Sequence, residues 1–246
     1  MLPNSQLKKN NASIKINHKF TEKLSASVFG SYITQSTVGR NSTGYNDNIM
    51  SNFRQWWQTN VDIKELKQVY DRSGGQNITW NWADPSDLRP IYWDNPYFTR
   101  YKNYQNDNRN RFTGYAKLDY KIAEWLTATT RISTDTYDEL REERRAEGSV
   151  AAEFGINRLD ETSGYQRFNR NYTEQNYDFF LTFNKNITED ITFNGILGGT
   201  ANRTKTKSSL ASKQGGPIVP GWESITNSVV TVPFQVESQV KRAINS

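Results

Sequence analysis

Three stretches of this chain repeat one pattern: Lys19-Phe20-Thr21-Glu22-Lys23-Leu24-Ser25, Lys121-Ile122-Ala123-Glu124-Trp125-Leu126-Thr127 and Asn186-Ile187-Thr188-Glu189-Asp190-Ile191-Thr192. Each lies between two runs of alternating apolar and polar residues, the way a tight hairpin between two strands with one apolar face is written. In the first unit Ala12, Ile14, Ile16 and Phe20 share a parity with Leu24, Ala26, Val28 and Tyr32, against Ser13, Lys15, Asn17 and Lys19. The second unit sets Phe112, Ala116, Leu118, Tyr120, Ile122, Leu126, Ala128 and Ile132 against Arg111, Thr113, Lys117, Asp119 and Lys121. The third gives Tyr177, Phe179, Leu181, Phe183 and Ile187, then Ile191, Phe193 and Leu197. Successive strand side chains point to opposite faces, so parity defines two surfaces. His18, Phe29 and Ile33 break the rule.

The strands are long. Ala12 to Phe20 and Leu24 to Thr34 match the ~9–11 residues a tilted strand needs to cross a bilayer, whereas soluble strands average nearer ~5–6. The pattern predicts hairpins at about residues 11–35, 110–137 and 176–203, with long loops at about 36–109, 138–175 and 204–234. Short turns on one side and long loops on the other are the habit of bacterial outer-membrane barrels. The expected fold class is all-β: a partial, open antiparallel barrel wall of six to seven strands, with short helices in long extracellular loops. A soluble antiparallel sandwich fits the alternation equally well.

Two loop segments have helical form. Asp62-Ile63-Lys64-Glu65 resembles a capping box, and Ile63, Leu66, Val69 and Tyr70 recur at helical spacing until Gly74 and Gly75. Asp138 to Glu147 carries Glu139, Arg141, Glu142, Glu143, Arg144 and Arg145 at offsets of three and four, which predicts a charged surface helix.

A mean hydropathy of −0.84 excludes a helical membrane protein. It does not exclude a barrel, in which half of each strand and all the loops are polar. Six or seven strands are fewer than the ~8 of the smallest membrane barrels, and an open sheet edge in lipid leaves backbone groups unpaired. No leader of charged, apolar and small residues follows Met1, and the segment from Gln235 starts another alternation without a closing aromatic strand. The expectation is an internal piece of a longer protein, which alone aggregates or depends on detergent.

Four motifs in order, Met1-Leu2-Pro3-Asn4-Ser5 with Leu7-Lys8-Lys9-Asn10-Asn11, Asn52-Phe53-Arg54-Gln55-Trp56-Trp57-Gln58-Thr59-Asn60-Val61-Asp62, Tyr92-Trp93-Asp94-Asn95-Pro96-Tyr97-Phe98 and Asn110-Arg111-Phe112-Thr113-Gly114-Tyr115, resemble the barrel of SusC-like, or RagA-like, TonB-dependent transporters of Bacteroidetes. The resemblance extends over nearly the whole chain and is weakest after about Thr204. It implies an amino-terminal plug inside a barrel of ~22 strands, import of oligosaccharides or peptides driven through TonB, a SusD-like surface lipoprotein over the mouth, and residence in the outer membrane. Against that pattern the stretch is expected to hold barrel wall and loops, without the TonB-contacting segment, the plug and the last strands.

The first long loop gathers Trp56, Trp57, Trp80, Trp82, Tyr92, Trp93, Tyr97 and Phe98, candidates for stacking on sugar rings or anchoring the lid partner. The same residues serve equally to pack a loop of that length on itself. Catalysis has little footing: the single histidine, His18, lies mid-strand, and there is no cysteine, phosphate loop or EF-hand spacing. Asp84, Asp87 and Asp94 share the aromatic loop without matching a calcium-loop spacing. No enzyme activity, cofactor or metal is expected. The net charge of +5 is spread over strands and loops and forms no nucleic-acid patch. The readings left open are an active importer, a surface glycan-binding β-protein and a passive porin.

Overall fold

The alternating runs pair as their parity requires. The computed structural model describes residues 3–40, 48–50, 53, 57–150, 164–213, 216–230 and 233–245. In chain order the elements are β1 (Gln6–Lys19), β2 (Leu24–Arg40), α1 (Ile63–Arg72), β3 (Trp82–Asp84), β4 (Asp87–Pro90), α2 (Pro96–Lys102), β5 (Tyr104–Ala123), β6 (Leu126–Arg145), β7 (Gly164–Asn186), β8 (Thr192–Ser212) and β9 (Gln235–Asn245). Seven strands form one antiparallel sheet in the order β1-β2-β5-β6-β7-β8-β9, while β3 and β4 make a small hairpin in the first long loop. The sheet is open, with β1 and β9 at its edges.

The repeated heptads are its turns. Phe20 N and Thr21 N both donate to Leu24 O, at 2.9 and 3.2 Å, and Ile187 N and Thr188 N do the same to Ile191 O, at 2.8 and 3.3 Å. Thr21 Oγ1 also accepts from Lys23 N and Leu24 N, at 3.2 and 3.0 Å, so the side chain closes the turn. At the middle repeat Ala123 has no hydroxyl, and the strands close instead around Glu124-Trp125 after a register shift.

Register places the apolar residues on one continuous face. One hydrogen-bonded row reads Ile16, Val28, Ala116, Ile132, Tyr177, Ala201, Ile244. Among the described residues no second layer covers it: Ile14, Ile132 and Leu197 are 64%, 53% and 66% exposed. A sandwich would seal those side chains beneath its other sheet, so the open wall is the architecture found. The polar face holds the exceptions to parity. Phe29 stacks on Tyr115 with ring centroids 5.7 Å apart, and Ile33 stands opposite Arg111. His18 meets Phe20 edge to face at 4.6 Å on the apolar side.

The strands are staggered as a barrel demands. Measured from that row, β1, β5 and β7 end 3, 7 and 9 residues further on, at Lys19, Ala123 and Asn186. That is a slip of ~1.5 residues per strand, or ~5 Å for each ~4.8 Å of lateral spacing, which corresponds to a tilt near ~45°. At that tilt the apolar run of β5 from Phe112 to Ile122 rises ~24 Å, the height of a barrel's lipid-facing band.

The strands run on past the expected loop boundaries, and the helix expected at Asp138–Glu147 is a correction: residues through Arg145 are strand β6. Paired strands supply opposite charges that an isolated helix lacks. Arg109 reaches Glu139 at 2.6 Å, Gln105 donates to Glu143, and Arg141 meets Glu139 at 3.0 Å. Lower on the same polar face Arg131 pairs with Asp178 at 2.7 Å and Arg111 with Asp135 in a bidentate fork.

A buried arginine ties the first loop to the wall. Arg100 of α2 is 2% exposed and donates to Pro3 O at 3.2 Å, to Ser5 Oγ and to Gly39 O, while Asn4 Nδ2 donates to Arg100 O at 2.9 Å. Gly39 has φ +63°, and a Cβ there would lie 1.7 Å from Asn4 O. Gly39→Ala is therefore expected to cost at least ~1–3 kcal/mol from the left-handed backbone alone, more with the clash. The measurable outcome is a lower unfolding temperature together with protease cleavage near residue 100.

Candidate functional site

The long-loop end of the wall carries a cap built around buried amides and one carboxylate. Asp62 caps α1, its Oδ1 accepting from Lys64 N at 2.8 Å, and Leu66 and Tyr70 turn inward as the helical spacing predicts. The helix stops where Gly75, at φ +85°, donates to Tyr70 O at 2.8 Å. Asn95 caps α2, accepting from Tyr97 N at 2.9 Å and donating to Leu66 O and Ile78 O at 3.1 and 2.8 Å. Beside it Asp94, 2% exposed, accepts from Asn77 Nδ2 and Val150 N, both at 2.8 Å, and from Asn103 Nδ2 at 3.4 Å. One carboxylate thus joins the first long loop to the loop that follows β6.

The aromatic candidates divide. Trp93 and Phe98 are 2% and 4% exposed and form the cap's own core. Trp57 packs between Phe53 and Trp80, at centroid distances of 4.3 and 4.8 Å, with its Nε1 donating to Val61 O at 3.1 Å. Trp80 and Trp82 line a hollow of about 320 Å³ whose rim carries Asp62 and Glu65. Tyr97 lies under Lys67 Nζ at 5.9 Å, and Tyr92 is exposed at the surface. Trp56 lies outside the described residues.

A larger cleft of about 920 Å³ was not singled out in the sequence. Its walls include Phe98, Tyr101, Lys102 and Tyr104, then Arg144 and Arg145, then Lys213 and Trp222, residues distant in the chain. Arg144 stands 5.2 and 5.5 Å from the rings of Tyr104 and Tyr165, and Lys213 is 3.8 Å from Glu223. Its size falls in the range of small-ligand sites. Aromatic faces beside guanidinium and ammonium donors suit an extended ligand with carbonyl, hydroxyl or carboxylate oxygens.

The acidic residues of the β3–β4 hairpin serve the turn. Asp84 Oδ1 accepts from Ser86 N and Oγ and from Asp87 N, at 2.7, 2.5 and 3.1 Å. Arg89 donates to Asp87 through Nε and Nη2 at 2.8 and 2.6 Å, and these bonds hold the Asp87 carboxyl down at about 2. Because that value is depressed, the pair's contribution is whole above the unfolded carboxyl's ~4 and fades as pH falls through about 2. Arg89→Gln is expected to move the Asp87 titration, followed by carboxyl NMR, back towards ~4. Among the described residues no cluster of acidic or histidine side chains is placed to hold a metal ion.

The comparisons bear on the fold. No protein-family model and no curated protein matches the chain. Solved structures do. The RagAB peptide importer in its open-open state aligns with a TM-score of 0.60 at 11% identity, over 98% of this chain and 24% of that one. The RagAB peptide transporter aligns at 0.61 with 13% identity, and the closed-closed importer at 0.61 with 12%, each over 98% of this chain and 25% of theirs. The chain thus spans about a quarter of the length of these proteins and shares their fold over that part.

Proposed function

We propose that this chain is a stretch of barrel wall with its external loops from a TonB-dependent outer-membrane importer of oligosaccharides or peptides. One observation carries the reading: an apolar face that no other described residues cover, ~24 Å high and borne on strands tilted by ~45°, the dimensions of a lipid-facing barrel band. Aromatic residues mark its edges, with Phe20, Tyr120, Trp125, Phe183 and Phe193 towards the short turns and Tyr32 directly beside Phe112 towards the loops. Lys185 sits 5.0 Å over the Trp125 ring at the turn edge, as a lysine reaching for the interface does.

The rest of the reading follows from the two faces. In lipid the open edges at β1 and β9 require further strands, because unpaired backbone groups are costly there. The polar face, crossed by the Arg111–Asp135 and Arg131–Asp178 pairs, lines the lumen against a plug that TonB pulls. The cleft beneath the cap receives the ligand, and a SusD-like lipoprotein closes over the loops. The named neighbours favour peptides, and the tryptophan hollow keeps sugars in view.

The test is the full-length protein. Recovery from outer membranes as a heat-modifiable barrel, together with a surface lipoprotein, agrees with the proposal. A water-soluble monomer that binds glycans and shows no heat-modifiable band contradicts it in favour of a surface binding protein. A heat-modifiable barrel that conducts ions freely without a plug makes it a porin.

A further inference from the structure

Above the apolar band the outward face of β8 and β9 becomes strongly basic. β8 continues from Leu197, Gly199 and Ala201 to Arg203, Lys205 and Lys207, all exposed, while the intervening Asn202, Thr204 and Thr206 face the other way and are half-buried. Register puts Arg242 of β9 directly opposite Arg203, with Ile244 opposite Ala201 immediately below. The other outward neighbours are Gln175, Thr173 and Asn171 on β7 and Val240 and Ser238 on β9, none of them acidic. The nearest carboxylate on this face in these rows is Asp138, two strands from Lys207 or ~10 Å away, and Asn171 already donates to it. None of the four cations takes part in an ion pair among the described residues.

Two cations facing each other across a strand pair repel, and here two more lie along the same strand. Such a cluster is stable where an external anion neutralises it. Its place says which. The residues point away from the lumen, so neither a plug nor an imported ligand meets them. They begin where the apolar band ends, at the level of lipid headgroups and on the long-loop side. Near this height the outward positions of β2 and β5 are uncharged, Thr34, Ser36, Asn110 and Asn108, β1 carries the single cation Lys8 and β6 the carboxylate Asp138, so a cluster of cations marks one place on the wall.

We propose that Arg203, Lys205, Lys207 and Arg242 form a binding site for the phosphate headgroup of an anionic glycolipid in the outer leaflet, whose acyl chains lie on Leu197, Ala201 and Ile244. Arginine and lysine here act as phosphate ligands, and the apolar band below supplies what a free phosphate lacks. The inference rests on the lipid-facing reading of the wall given under Proposed function.

The test uses the full-length importer in mild detergent, native mass spectrometry, and bisphosphorylated lipid A as the probe. The expected result is retention of the lipid by the natural protein, with an affinity at least tenfold lower in the triple variant Arg203→Gln, Lys205→Gln, Arg242→Gln. The single variant Arg203→Gln loses about threefold and guards against misfolding, which heat-modifiability reports separately. Lys241→Gln, on the lumen face of β9, leaves retention unchanged. Equal retention by the natural protein and the triple variant overturns the site, and so does displacement of the lipid by 10 mM inorganic phosphate. A protein that stays monomeric without detergent overturns the wall reading itself, a result the retention measurement does not produce.

Discussion

Asp94→Ala in the full-length protein is expected to open the loop cap and leave the wall intact. The carboxylate is buried and receives Asn77, Asn103 and the backbone of Val150. Alanine strips Val150 N of its acceptor and takes one hydrogen bond from each of two amides, which keep Gly148 O and Ser149 Oγ, in a site closed to water. A buried donor left without a partner costs ~1–3 kcal/mol, and the two lost bonds to a charged acceptor bring the expected total to ~3 kcal/mol. That exceeds what a surface loop holds in reserve, so the cap should come apart locally. Limited proteolysis would then cut between residues 57 and 103 and near residues 146–150, while the heat-modifiable band persists. Asp94→Asn, which keeps the shape but surrenders the charge and one acceptor oxygen, should fall between. An unchanged digestion pattern in Asp94→Ala would remove the carboxylate from its central place in the cap.

Leu118→Arg is expected to act in the opposite manner, sparing the cap and disabling the wall. Leu118 lies near mid-height of the apolar band on β5, 46% exposed, between Ala26 and Thr130 in its row. Arginine on the lipid side at mid-membrane costs ~2–4 kcal/mol. The adjacent Lys117 points to the opposite, polar face, where it pairs with Asp119 at 2.7 Å. A cation is native on that face, so Thr113→Lys, a charge added to the same face, should be tolerated. The readout is the amount of folded, heat-modifiable protein in the outer membrane: sharply reduced for Leu118→Arg and near normal for Thr113→Lys. Equal behaviour of the two variants would mean that the faces do not differ in what they touch.

Much of the wall is legible in the sequence because one physical contrast repeats along it. Where one face meets an apolar medium and the other meets water, residues such as Ala128 to Ile132 must alternate, and three turn heptads punctuate the pattern. The strand ends beyond the band are not legible for the same reason. From Asp138 to Arg145 both faces are polar, the period of two disappears, and charges three and four apart imitate a helix; only the partners on β5, Arg109 and Gln105, reveal a strand. The α1 helix is readable because Asp62, Leu66 and Tyr70 carry a cap and a buried stripe locally. The cap's aromatic residues are visible as a group, yet composition does not separate Trp93 and Phe98, which fill its core, from Trp80 and Trp82, which line a hollow. The large cleft is hidden for a different reason: Tyr104, Arg144 and Lys213 meet only after strands longer than the band have been laid side by side. The charged patch on β8 and β9 likewise needs the register that sets Arg203 against Arg242.

The central claim is that alternate residues of these strands touch lipid tails. This segment contains no cysteine, so single cysteines can be placed from residue 128 to 133 in the full-length protein, spin-labelled, and exposed to oxygen, which partitions into lipid, and to a water-soluble nickel chelate. Residues 128, 130 and 132 should respond to oxygen and residues 129, 131 and 133 to nickel, in strict alternation. If the even-numbered set is instead shielded from both reagents, those side chains lie beneath another layer of protein, and the membrane wall described here is wrong.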